Sequence, residues 1–271
     1  MRAKLTGREE EALAVKPTNN PEAYDAYLRG VAFEARGLYS STFDLVLRAT
    51  SFYESAAQLD PNFVLAWTRL SRADALLYFN EYETIPGARR DAAKRALENA
   101  QKLEPNSPET LLALGYYQYW VLRDYALAKT TFERVRKALP GRSEVTNALG
   151  LISRRQGQWD QSIAYFEQAL ALDPRNVELL TGTAWTYAML RQIPAALKLY
   201  DRALDIVPND PGVMGSKAGV FQAQGDLPGA AKLLVEVNAQ TNSDSFRVKI
   251  NQLRLERNYA GGHSIAASPF G

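Results

Sequence analysis

The sequence predicts an all-α solenoid built from stacked helix–turn–helix repeats. Pro140, Pro174 and Pro208 are spaced by 34 residues, and other residue types recur in step with them. An aromatic residue lies eight positions and a small residue twelve positions before each proline: Phe132, Phe166 and Tyr200, and Ala128, Ser162 and Ala196. A fixed period of this length is typical of proteins in which each unit packs only on its neighbours.

The composition argues against several classes of function. The chain of 271 residues carries 32 basic and 30 acidic side chains, and a formal net charge of +2 gives no strong overall field for nucleic acid or an anionic membrane. Without cysteine, disulfides and thiolate metal sites are excluded. No apolar run approaches the roughly 18–20 residues of a membrane helix, and the start lacks a signal-peptide core. We therefore expect no nucleic-acid partner, no membrane insertion and a cytoplasmic location.

The unit 143–176 shows most clearly why particular residues recur. Small residues such as Gly150 and Ser162 let two helices approach, where a large side chain would overpack by about 1–3 kcal/mol. Phe166 is expected to act as a bulky wedge between neighbouring units. Pro174 is expected to end one helix and to begin the next as a first-turn residue.

These positions together resemble the tetratricopeptide repeat (TPR), a helix–turn–helix unit of about 34 residues. The resemblance implies a right-handed α-solenoid of about six repeats with flanking helices. The expected units are 23–63, 64–107, 108–142, 143–176, 177–210 and 211–244. Unit 108–142 has one extra residue in its first helix, unit 64–107 has about ten near residues 80–87, and unit 23–63 has about seven near residues 38–44.

Capping residues support this division of the chain. Asn20, Asp60, Ser107 and Asp210 each precede a proline, which predicts an N-cap followed by proline at the first helical position. The expected regions are a short leading helix and linker at 1–19, the repeat array at 20–244, a capping helix at 245–259 and a mobile tail at 260–271.

The stretch from Leu5 to Gly30, with the core Pro17-Thr18-Asn19-Asn20-Pro21-Glu22-Ala23-Tyr24, carries a second resemblance. It is similar to the junction in bacterial multidomain signalling proteins where a TolB-like domain precedes a TPR array. In that family a kinase, a cyclase or a DNA-binding output domain comes further upstream, and the array is an interaction or regulatory module. The resemblance implies that this chain is the regulatory part of a larger bacterial protein.

Ligand-facing side chains in the TPR family lie on the first helix of each unit, where they line a concave groove. The corresponding peptide-binding candidates are Tyr24, Tyr27, Arg69, Arg72, Leu112, Tyr116, Tyr119, Trp120, Asn147, Arg154, Arg155, Thr181 and Trp185. Tyr and Trp offer large contact areas, and Arg can bind a carboxylate through two hydrogen bonds. The set predicts a groove for a peptide with apolar and acidic residues. Aromatic residues at helical spacing also pack between helices, and exposed arginines also simply face solvent, so both interpretations stay open.

One known TPR ligand is not expected. The clamp for EEVD-type chaperone tails needs Lys, Asn and Arg at set positions of three consecutive units. The corresponding positions in the last three units hold Asn147, Leu151, Gly182, Gly212 and Ser216. The chain therefore lacks the clamp.

Three glycines, Gly212, Gly215 and Gly219, follow one face of a predicted helix. Each costs about 1 kcal/mol relative to alanine in a helix. The row indicates either close approach of a ligand or partner backbone, or tight packing in a weak terminal unit.

No motif indicates catalysis. The single histidine, His263, lies in the predicted tail without a partner cluster, and no phosphate-binding loop, nucleophile elbow or metal motif is present. We expect a non-catalytic scaffold without cofactors that binds a peptide or protein segment, as a monomer or weak homodimer. The alternative is a structural spacer or self-association module without its own ligand.

Overall fold

The computed structural model describes residues 17–40, 43–237 and 243–256. Within these residues there are thirteen α-helices, one π-helical turn and no strand. The α-helices are α1 (Pro21–Ser40), α2 (Phe43–Leu59), α3 (Val64–Phe79), α4 (Ala88–Leu103), α5 (Pro108–Tyr116), α6 (Tyr125–Ala138), α7 (Ser143–Arg155), α8 (Trp159–Leu172), α9 (Val177–Met189), α10 (Ile193–Ile206), α11 (Pro211–Gln224), α12 (Leu227–Glu236) and α13 (Ser243–Leu255). The predicted leading helix and the predicted tail lie outside the described residues.

Consecutive helices pair into six hairpins, from α1–α2, which meet at Gly30 and Tyr53, to α11–α12, and α13 packs on α11 and α12. Among the described residues, the contacts define two compact units: the first holds residues 17–37 and 43–139, and the second holds residues 38–40, 140–237 and 243–256. Each unit has its own apolar cores, for example around Tyr53 and Leu77 in the first and around Leu180 and Tyr200 in the second.

The two helices of a hairpin approach each other closely at Gly150, as the sequence predicts. A Cβ atom at Gly150 would lie 2.6 Å from the Phe166 ring. The same glycine–aromatic contact recurs in two other hairpins, Gly30 with Tyr53 and Gly115 with Phe132. The Ser162 hydroxyl donates a hydrogen bond of 2.8 Å to the Gly150 carbonyl, so the small residue also ties the two helices together. The Phe166 ring therefore packs on the glycine of its own hairpin.

The extra residue predicted in the first helix of unit 108–142 takes the form of a π-helical turn, Tyr117–Val121. The Leu122 amide donates to the Tyr117 carbonyl, five residues back, at 3.1 Å. A π-helical turn, with its hydrogen bonds between residues five apart, accommodates one extra residue within a helix.

The other two insertions have different outcomes. Residues 80–87 form the predicted connection, where the Glu83 carboxylate accepts hydrogen bonds from the amides of Gly87 and Arg89 at 2.8 and 3.1 Å. The insertion predicted near residues 38–44 is largely helical instead, because α1 continues to Ser40 and α2 begins at Phe43.

Three of the four predicted caps are confirmed. Asn20 accepts from the Ala23 amide, Ser107 from the Thr110 amide and Asp210 from the Val213 amide, at 3.1, 3.3 and 2.9 Å. The predictions for Pro61 and Pro174 were wrong, since α3 begins at Val64 and α9 at Val177. Both prolines lie in the preceding turn, and the cap of α9 is Asn176, which accepts from the Leu179 amide at 3.1 Å.

The first unit also contains charged groups in its interior. Glu34 is buried, pairs with Arg69 at 3.2 Å and accepts a short hydrogen bond from the Tyr53 hydroxyl. Asp74 pairs with Arg89 at 2.7 Å. Burial raises the pKa of the Asp74 carboxyl to about 6, against the lowering effect of its hydrogen bond with Arg89.

Candidate functional site

Four of the predicted ligand contacts in the first unit are core residues. Arg72, Leu112, Tyr116 and Tyr119 are each at most 7% exposed. The Arg72 guanidinium lies 4.7 Å from the centroid of the Tyr116 ring, and the Tyr116 and Phe132 rings make an edge-to-face contact with their centroids 5.0 Å apart. Helix packing buries these side chains, so they offer little surface to a ligand, and a ligand contact for them stays a prediction.

Among the remaining candidates of the first unit, the Tyr24 and Tyr27 rings stack with their centroids 6.3 Å apart. Arg69 is paired with Glu34, and Tyr27 packs against Phe63 with ring centroids 5.1 Å apart. Trp120 is half-buried and stacks on Tyr116, and Tyr24 is exposed.

In the second unit, the structure brings Arg154 and Trp185 together. Trp185 is 46% exposed on α9, and the Arg154 guanidinium from α7 lies 4.6 Å from its ring centroid. Arg154 Nη1 also donates to the Thr186 hydroxyl at 2.9 Å, which fixes the guanidinium against the indole. An exposed aromatic side chain held in place by a neighbour is a suitable anchor for a partner.

The other second-unit candidates are not gathered around this pair. The Thr181 hydroxyl donates to the backbone carbonyls of Val177 and Glu178, within its own helix. Asn147 is half-buried and Arg155 is exposed.

Trp185 borders a cavity of about 1150 Å³ that is lined by residues of α9, α10, α11 and α13 and of the α9–α10 turn. Its apolar lining includes Met189, Ile193, Val220 and Val248. Three exposed arginines, Arg191, Arg247 and Arg254, also line the cavity, and no Asp or Glu is among its described lining residues. The cavity thus combines apolar walls with positive charge.

The sequence did not predict the three arginines as binding residues, although the glycines of the predicted row, Gly212, Gly215 and Gly219, indicated the helix face that borders the cavity. Gly215 and Gly219 line the cavity, and a Cβ atom at Gly219 would meet no other atom within 4 Å. The space beside Gly219 is therefore open, and no neighbouring side chain packs tightly against this residue. Arg247 and Arg254 lie on α13, outside the repeats, and no repeat position could have identified them.

Arg191 has an unusual backbone conformation. It follows α9 with φ of +58°, whereas the residues 34 positions before and after it, Gly157 and Gly225, have φ of +73° and +83°. All three sites close their helix with the same hydrogen bonds, such as Arg191 N–H to the Ala188 carbonyl at 3.0 Å. A side chain in this left-handed region costs about 1–2 kcal/mol, which glycine avoids.

Amide side chains hold α13 against the repeats. Gln222 Nε2 donates to Gln252 Oε1 at 2.8 Å and to the Val248 carbonyl at 3.0 Å. Asn251 donates to Gln222 Oε1 at 2.8 Å, and Gln252 donates to the Leu227 carbonyl at 2.9 Å. This network, in which Gln222 and Gln252 are buried, places the arginines of α13 at the cavity.

The cavity is lined by apolar, amide and guanidinium side chains, which are groups that can bind a ligand. Burial raises the pKa of the Tyr200 hydroxyl to about 12. In the part of the chain that the structure describes, no group of three or more His, Cys, Asp or Glu side chains could hold a metal ion. None of the described helices has both the length and the apolar character needed to span a membrane.

Helix hairpins that repeat with shared small and aromatic positions define an α-solenoid repeat protein. Two family models described as tetratricopeptide repeat match residues 147–211 and 109–141. These residues are tetratricopeptide repeats, and the predicted fold class is confirmed.

One curated protein resembles this chain in sequence, and two solved structures resemble it in fold. Anaphase-promoting complex subunit 6 of Arabidopsis thaliana is 25% identical over 142 residues, which are 51% of this chain and 26% of that protein. The structure of PilW, a type IV pilus biogenesis factor, matches 84% of this chain and 99% of its own with a TM-score of 0.57 and 20% identity. The APC/C hetero-tetramer Cut9–Hcn1 matches 88% of this chain and 45% of its own with a TM-score of 0.58 and 18% identity. The chain thus spans about a quarter of the curated relative, and the two structures share its fold.

Proposed function

We propose that this chain is a non-catalytic interaction scaffold that binds a segment of another protein on the first helices of its hairpins. The observation that carries the proposal is Trp185, a large exposed aromatic side chain held by Arg154 at the edge of an open cavity. Aromatic and arginine side chains next to a concave apolar surface are the residue types that dominate binding energy at protein interfaces. The match to a subunit of a multi-protein complex agrees with such a role.

A selection with a defined probe tests this proposal. The whole chain is immobilised and exposed to a phage-displayed library of random 12-residue peptides, and the affinity of a recovered peptide is measured by fluorescence anisotropy. We expect Trp185→Ala to weaken binding about ten- to hundredfold, the loss typical of an interface hot spot. Because Trp185 is 46% exposed, the melting temperature should change little.

Leu172→Ala is the matched control, since Leu172 is also 46% exposed in the second unit but does not line the cavity. It should bind the peptide like the wild type. Failure to enrich any peptide, or equal affinity of the Trp185→Ala variant, would show that this surface is not the binding site.

We also propose, on the resemblance of the Leu5–Gly30 stretch alone, that the scaffold is the regulatory part of a larger cytoplasmic bacterial signalling protein. Sequencing the gene upstream of the Met1 codon tests this. A TolB-like domain with a cyclase, kinase or DNA-binding domain in the same reading frame is the expected result. A stop codon directly upstream would contradict it.

A further inference from the structure

We infer that the second-unit cavity binds a protein segment in which an acidic side chain lies next to an apolar one, and that α13 supplies two of the three arginines that recognise it. The inference rests on the proposed scaffold function and adds the chemistry of the partner. It also extends the binding site beyond the repeats, to a helix that follows them.

Charge complementarity identifies the partner. Arg191, Arg247 and Arg254 come from two separate regions of the chain and meet at one cavity, and no carboxylate is among its described lining residues. A guanidinium binds a carboxylate through paired hydrogen bonds, and the strength of such bonds increases beside apolar walls that exclude water. Val220 and Val248 provide such walls, and Trp185 and Met189 offer an exposed apolar contact beside them.

The left-handed backbone conformation of Arg191 independently supports a binding role for this residue. Its two counterparts at 34-residue spacing are glycines, and the same turn with glycine would avoid the left-handed strain. Strained side chains occur preferentially at binding sites, where a specific contact compensates for the cost. Arg123 provides the comparison, because it has φ of +55° at the equivalent position of an earlier repeat but lies outside the cavity.

The position of α13 decides whether two of the arginines are available. Gln222 and Asn251 belong to the amide network that docks α13 and also line the cavity. A ligand that contacts Arg247 and Arg254 therefore binds the docked form of α13 and stabilises it by mass action.

A partner protein explains the positive charge better than the chain's own C-terminal residues do. Residues 257–271 contain no Asp or Glu and include Arg257. They offer no side-chain carboxylate to the three arginines. The remaining occupants from the chain itself are residues 1–16, which carry Glu9, Glu10 and Glu11, and a second copy of the chain. The experiment below separates a second copy from a partner.

The test uses the same phage-displayed random 12-residue library with the whole chain. We expect the enriched peptides to carry Asp or Glu beside Leu, Met or an aromatic residue, and binding to weaken as the salt concentration rises. Arg254→Gln and Arg191→Gly should each bind a recovered peptide about tenfold less tightly, the loss expected for one charged hydrogen-bond partner. Arg175→Gln, which removes an exposed arginine away from the cavity, should bind normally.

Thermal unfolding separates a binding role of Arg191 from a structural one. Arg191→Gly and Arg123→Gly relieve the same backbone strain, so both melting temperatures should rise by about 1–3 °C. Only Arg191→Gly should lose affinity. Loss of affinity with a gain in stability is not expected of a residue that serves folding alone.

Three outcomes would overturn the inference. The inference of an acidic partner would be refuted if the enriched peptides had no excess of Asp and Glu. It would also be refuted if Arg191→Gly and Arg254→Gln bound within twofold of the wild-type affinity. Neither result would contradict the proposed scaffold function. A dimer in light scattering that Arg254→Gln converts to a monomer would make a second copy the occupant. No enriched peptide at all would remove the proposed function as well.

Discussion

The Gly150→Ala variant is expected to destabilise the second unit, although alanine normally stabilises a helix. The new Cβ atom would lie 2.6 Å from the Phe166 ring, closer than such atoms approach in folded proteins. Phe166 is fully buried, so its ring can move only by displacing other core residues. Overpacking of this kind costs about 1–3 kcal/mol, which exceeds the gain in helix propensity of about 1 kcal/mol. Urea denaturation followed by circular dichroism, with hydrogen exchange at α7 and α8, would measure the loss.

Two variants test whether the Phe166 contact is the cause. Gly219→Ala adds the same methyl group where no atom lies within 4 Å, so it should stabilise the protein by about 1 kcal/mol. Phe166→Leu in the Gly150→Ala background should recover part of the loss, because leucine occupies this repeat position at Leu97 and Leu234. A stabilising effect of Gly150→Ala would refute the close-packing account.

Most of the fold could be predicted because the residues that pack between the helices recur at fixed positions in the sequence. The 34-residue spacing, the small residue on the first helix and the aromatic residue on the second correspond directly to contacts such as Gly150 with Phe166. Positions of helix ends were harder. Pro61 and Pro174 satisfy the first-turn rule for proline equally well as residues of a preceding turn, and only tertiary packing selects the turn.

The candidate site was less predictable because exposure depends on packing that no repeat position specifies. Tyr116 and Tyr119 occupy ligand-facing positions by repeat numbering, yet they are buried around the π-helical turn. Trp185 was predicted as a contact and is exposed beside the cavity. Arg254 is brought to the cavity by α13, whose docking through Gln222 and Gln252 leaves no repeat signal in the sequence.

The buried Asp74–Arg89 pair should make the stability of the first unit depend on pH between about 4 and 6. Burial raises the pKa of Asp74 from 3.8 to about 6, so the folded chain binds this proton more tightly than the unfolded chain does. The stability that protonation contributes is therefore fully present below about pH 4 and is lost as the pH rises past about 6. A shift of this size corresponds to about 3 kcal/mol.

Removal of Arg89 should enlarge this dependence. Only 2% of the Asp74 side chain is exposed, and Arg89→Ala would leave the ionised carboxylate buried without its partner. We expect a loss of about 3 kcal/mol in the free energy of unfolding near pH 8 and a smaller loss near pH 4.5, where Asp74 is protonated in the folded state. Urea titrations at both pH values would measure the difference. Asp74→Asn is the control, because a neutral amide should abolish the contribution of this site to the pH dependence. An equal loss for Arg89→Ala at both pH values would show that the titration of Asp74 does not govern this part of the stability.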